Sequence, residues 1–126
     1  MPTRLDDRVE GHLARITSIV RSVGAVPGVV TVVATDTEGF LLMMNSETTQ
    51  PVDHELLAAQ VAALFHQASI SLTCFGAVTP KLCAVESSET ALVIAASNDT
   101  VIIAALCSVI SSVGAVRFHL MRTLEH

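Results

Sequence analysis

Clusters of Gly, Pro, Ser and Asp divide the chain into amphipathic stretches and short apolar runs. Residues 6–23, DDRVEGHLARITSIVRSV, place Val9, Leu13, Ile16, Ile19 and Val20 at helical spacing, with acids early and arginines late, the polarity a helix dipole favours. The spacing predicts a first helix, broken in residues 24–28 (GAVPG) by Pro27-Gly28. Two unbroken apolar runs follow, 29–35 and 40–44, joined by Asp36-Thr37-Glu38-Gly39, and these predict a hairpin. Residues 45–51 read as loop, and Pro51-Val52-Asp53 opens a second helix running to Thr73. Three segments come next, 81–87 (KLCAVES), 91–96 (ALVIAA) and 101–107 (VIIAALC). The turn-like Ser88-Glu89-Thr90 and Ser97-Asn98-Asp99 separate them into a three-strand meander. Residues 109–123 close the chain as a helix, with Val113, Val116 and Leu120 inward and Arg117 and Arg122 outward.

The element order is therefore αββαβββα. Four of the five strands are apolar at nearly every position, the pattern of a sheet covered on both faces. This predicts a three-layer α/β architecture, a five-stranded antiparallel sheet between helix layers. The pentapeptide SVGAV occurs at 22–26 and 112–116, but its flanks differ and no duplication follows.

The second helix is apolar on two sides. Leu57, Val61, Leu64, Ala68 and Leu72 share one face, and Val52, Leu56, Ala59, Ala63 and Ile70 share another, divided by Asp53, Gln60 and Gln67 at heptad spacing. One sheet covers one side. Alanines 58, 59, 62 and 63 would admit the backbone of a second helix, which predicts a homodimer with this helix packed on its mate.

Composition agrees. A length of 126 residues with 51% hydrophobic content fits a single domain, residues 1–123, with Leu124-Glu125-His126 read as the stub of a purification tag. Charged residues are 15%, below the ~25% usual for soluble domains, so some apolar surface should be covered by another chain. Aromatic content of 3% and a net charge of -5 argue against nucleic acid and against stacked, flat cofactors. The charged N-terminus shows no signal segment, and the uncharged stretches 56–80 and 100–116 carry too many polar groups to read as transmembrane, so the expectation is a cytoplasmic protein. Cys74, Cys83 and Cys107 are expected as buried free thiols.

Candidate chemistry is sparse. The tip DTEG lacks the further ligands of a calcium loop and reads as a turn. The histidines and cysteines lack zinc spacing, GAVPG precedes a strand instead of opening a helix, and no GxSxG elbow occurs. No catalytic, cofactor-binding or metal-binding residue is expected. Arg4, Arg8, Arg15, Arg21, Arg117 and Arg122 fall at the two ends of the chain, with only Lys81 between. If the terminal helices share a layer, that face is basic and an acidic partner could dock there, although arginine near a helix C-terminus is ordinary dipole chemistry.

The Val-Pro-Gly-Val at 26–29, the hairpin VVATDTEGFLLM, the helix HELLAAQVAALFHQA, the meander KLCAVESSETALVIAASNDTVIIAAL and the terminal VGAVRFHLMRTL together resemble the roadblock family, which holds dynein light chains and bacterial small-GTPase regulators. The resemblance implies a roadblock/profilin-like fold and a non-enzymatic homodimer in which the third strand pairs with its mate into a ten-stranded sheet. On this sequence the implied interface residues are Gln60, Leu64, Phe65, Gln67 and Ala68 on the second helix and Lys81, Cys83 and Val85 on the third strand. It also implies binding of a Ras-like small GTPase, as activator or scaffold, and pairing with a sensor-kinase-like protein. Two other readings stand beside it: an adaptor on motor or signalling complexes, and a PAS- or GAF-like sensory domain with a ligand cavity lined by Phe40, Met43 and Met44.

Overall fold

The least polar segment of the sequence, 101–107, lies at the middle of the sheet. In the computed structural model, residues 4–46, 51–76, 80–97, 101–108 and 113–124 are described, with residues 4–10 and 12 by their backbone alone. Their elements are α1 (Arg4–Gly24), β1 (Val29–Asp36), β2 (Leu41–Ser46), α2 (His54–Leu72), β3 (Leu82–Glu86), β4 (Ala91–Ala96), β5 (Val101–Cys107) and α3 (Val113–Leu124). One 3-10 turn, Thr73–Phe75, follows α2. The sheet order is β2-β1-β5-β4-β3, and every neighbouring pair is antiparallel. The architecture is the three-layer one that the apolar strands predict.

Alternation of side chains across the pleat divides the core into two halves. Val101, Ile103, Ala105 and Cys107 of β5 meet Ile16, Ile19, Val20 and Val23 of α1 and Val113, Val116 and Leu120 of α3. Ile102 and Ala104 point the other way, toward Val61, Ala62 and Phe65 of α2. Two helices therefore cover one face of the sheet, and a single helix covers the other. The edge strands differ from the central three: β2 alternates between half-buried and exposed positions, and β3 is exposed from Ala84 onward.

The hairpin tip is held by its own backbone and by Asp36. The Asp36 carboxylate accepts the N–H groups of Glu38 at 3.0 Å and Phe40 at 2.9 Å, while the Thr35 hydroxyl donates to the Phe40 carbonyl at 2.9 Å. Gly39, at φ +94°, lies flat against α2. A Cβ there would sit 3.1 Å from the Ala59 Cα and 3.5 Å from the Ala62 Cβ. The alanines expected to admit a second helix thus receive the chain's own hairpin at Ala58, Ala59 and Ala62.

Several boundaries differ from the sequence reading. β2 runs on to Ser46, because Asn45 and Ser46 continue the pairing opposite Val32 and Thr31. Leu124, read as part of a tag stub, ends α3 and is buried against the core. Cys74 is exposed and Cys83 only half-buried, so of the three expected buried thiols only Cys107 is one. Cys74 follows α2 into a turn that has no buried residue, and Cys83 lies on an edge strand. Residues 47–50, 98–99, 109–112 and 125–126, parts of the predicted loop, turn, third helix and stub, lie outside the described residues.

Gly39→Ala should lower stability by about 1–3 kcal/mol, from left-handed backbone strain and contact with the α2 backbone. Gly76→Ala, also at positive φ but with nothing within 4 Å of the added carbon, should cost less. Urea denaturation of the two variants checks the order.

Candidate functional site

The incompletely covered face of the sheet is the candidate site. Asp53 starts α2 by accepting the Leu56 N–H at 3.0 Å, an N-cap that leaves the helix free to follow its apolar pattern. His54 then ties the helix to β1. The buried Thr31 hydroxyl lies 3.2 Å from the Asn45 carbonyl and 3.0 Å from His54 Nε2, so it hydrogen-bonds both the end of β2 and the start of α2.

Beyond that anchor, α2 packs on β1, β2 and the near side of β5. On this face Ile94 of β4 is buried with the residues of α2, whereas Leu92 and Ala96 of β4 and Cys83 of β3 are only partly covered. Cys83 and Val85 of β3 register with Ile94 and Leu92 of β4, and Val85 is 47% exposed. The helix is equally one-sided. Ala58, Val61, Ala62 and Phe65 are buried, whereas Leu56 and Ile70 are 55% and 47% exposed, with Ala59 and Ala63 between them and Gln60 and Gln67 alongside. The two apolar faces read from the wheel are both present, and one of them is bare. At the end of the helix Phe75 is 89% exposed. By length and mean hydropathy of 1.3, His54–Phe75 could cross a membrane, which the sequence reading of 56–80 did not grant. Its place on the sheet accounts for the inner half of that apolarity.

The expected interface residues divide accordingly. Gln60, Gln67, Lys81 and Val85 are exposed, and Leu64, Ala68 and Cys83 are half-buried beside the open half of the face. Phe65 is committed to the core under α2 at 7% exposure. Leu56 and Ile70, which the carried-over set omits, form much of the bare stripe, and their heptad relation to Ala63 signals it in the sequence.

Catalytic groups do not converge. Among the described residues no three His, Cys, Asp or Glu side chains gather in a metal-binding group. Among the described residues, Phe40 borders a different depression from Met43 and Met44. The methionines line an open groove of about 510 Å³ with Thr17, Val20, Arg21, Asn45 and Ser46, while Phe40 borders a separate depression with Gly39, Leu41 and Glu55. Burial pushes the Cys107 thiol up from its ordinary value and keeps it neutral.

No family profile and no curated protein sequence matches the chain. Solved structures do. A structure described as MglB with tetrameric arrangement superposes at a TM-score of 0.80, with 16% identity, over 90% of this chain and 85% of its own. The Roadblock/LC7 domain from Streptomyces avermitilis matches at 0.72, with 15% identity, over 86% and 88%. The chain has the roadblock fold. A gliding protein, mglB from Thermus thermophilus, shares it at a TM-score of 0.70, with 14% identity and 90% of each chain covered. In the roadblock fold as this sequence builds it, the half-covered face and the β3 edge adjoin.

Thr31→Val keeps the side-chain shape but removes the hydroxyl between Asn45 and His54, and should cost about 1–3 kcal/mol in denaturant unfolding. A thiol reagent should modify Cys74 at once and Cys107 only on unfolding, which mass analysis of the labelled protein would show.

Proposed function

We propose that the protein is a non-enzymatic homodimeric regulator or scaffold that binds a Ras-like small GTPase. The incompletely covered sheet face carries this reading: β3 is exposed from Ala84 onward, Leu92 and Ala96 of β4 are only partly buried, and α2 leaves Leu56 and Ile70 exposed. A two-fold partner joined along β3 would place its own α2 beside this one and close that half with the same residues. Lys81, Cys83 and Val85 would lie at the strand junction, and Gln60, Leu64, Gln67 and Ala68 along the helix contact, with Phe65 supporting from beneath. An uncharged apolar face flanked by glutamines suits such a contact, since burying it leaves no charge unpaired.

The platform role rests on the roadblock resemblance, together with structural neighbours described as MglB and as a gliding protein. The paired α2 helices would present a broad surface whose centre is apolar. No arginine projects from it among the described residues, so a GTPase docked there would be influenced through the ordering of its switch loops.

The experiment is a pull-down of the Ras-like GTPase encoded nearest to this protein, loaded in turn with GDP and a non-hydrolysable GTP analogue. Binding that differs between the two states is expected, and absence of binding in both would remove the reading. For the assembly, light scattering should report a two-copy mass, and Val85→Glu should shift it toward one copy. A one-copy mass for the unaltered chain would refute the dimer.

A further inference from the structure

The opposite face of the sheet carries a different kind of surface. There α1 and α3 run antiparallel: Arg15 and Leu124 share a small cavity at one end, and Ser22 Oγ meets His119 Nε2 at 2.5 Å toward the other. Arg15, Arg21, Arg117 and Arg122 project from this layer, and none has an ion-pair partner among the described residues. Every acidic side chain described lies elsewhere. Asp36 and Glu38 are on the hairpin tip, Asp53 and Glu55 at the start of α2, and Glu86 and Glu89 around the β3–β4 turn. The first turns of α1 mix Asp6, Asp7 and Glu10 with Arg4 and Arg8, so the positive field centres on the second half of α1 and on α3.

Helix dipoles explain Arg21 and Arg122, which stand in last turns. They do not extend to Arg117, which stands outside the last turn of α3. Among these arginines the layer also exposes large apolar groups, Phe118 at 68% and Leu13 at 42%. The cavity between the helices is only about 10 Å³, and the larger groove at Arg21 lies toward β2, away from α3.

We propose that the α1/α3 face is a peripheral docking surface for an anionic phospholipid bilayer. The arginines meet headgroup phosphates, and the Phe118 ring enters the headgroup boundary. A fluid anionic surface can supply a phosphate at each of four spread positions, whereas a folded acidic protein would need carboxylates fixed at all four. Bound this way, the protein turns α2 away from the bilayer. The proposal does not depend on the identity of any partner at α2.

Co-sedimentation of the full chain with vesicles tests it. Binding is expected to phosphatidylcholine vesicles containing about 30% phosphatidylserine, not to pure phosphatidylcholine, and should be lost at about 0.5 M salt. Replacing Arg15, Arg117 and Arg122 together by serine should weaken partitioning about a hundredfold, near fivefold per charge. Phe118→Ser should weaken it while leaving its salt dependence unchanged. Equal binding to both vesicle types, no binding at low salt, or an arginine variant that is folded by circular dichroism yet binds like the parent would each overturn the proposal. Binding to polyglutamate without binding to anionic vesicles would assign the face to an acidic protein and overturn it equally.

Discussion

The unequal cover of the two faces of one sheet governs the rest of the molecule. Five strands present two apolar faces of similar width, but the chain supplies two helices to one and a single helix to the other. The side with two helices is complete, and its outer surface carries arginines. On the other side α2 reaches β1, β2 and part of β5, so the chain keeps an apolar half-face next to a strand with an unpaired edge. Apolar area left in water costs about 25 cal/mol per Å², which favours any arrangement that removes it.

Small residues fix where α2 sits. Gly39 approaches the helix so closely that a side chain there would press on the Ala59 backbone, and Asp36 holds the tip by taking two N–H groups on one carboxylate. On the inner side, the Thr31–His54 contact locks the start of the helix to β1, beside the end of β2. The helix is thus clamped at one end and along one flank, and its opposite flank, with Leu64 and Ala68, is left beside the open strands. The tip DTEG, which in sequence shows two carboxylates, serves as a turn whose acid is spent on backbone donors.

Much of this was legible before any coordinates. Element order, the inward residues of α3, the opening of α2 at Pro51-Val52-Asp53 and the double-sided character of α2 all follow from periodicity and turn chemistry. What periodicity cannot supply is which element lies against which face. The approach of Gly39 to alanines 58, 59 and 62 is one such contact, which periodicity does not show. Cys74 read as buried from apolar neighbours, although its turn lies past the region the sheet supports. Leu124, read with Glu125 and His126 as a tag stub, continues the spacing of Val113, Val116 and Leu120 into the core. Of the residues named by resemblance, Phe65 is buried under α2, while Leu56 and Ile70, outside that set, are exposed.

The pairing of β1 with β5 has a consequence for how the chain reaches this state. Asp36 registers with Val101 and Val29 with Cys107, contacts separated by most of the polypeptide. Such distant pairings impose a large loop-closure entropy before they contribute, which slows the folding reaction. A ribosome adding residues one after another would expose the first hairpin and the greasy second helix well before the central strand arrives to join them. Through that interval the nascent chain would be a natural client for chaperones that bind exposed apolar segments.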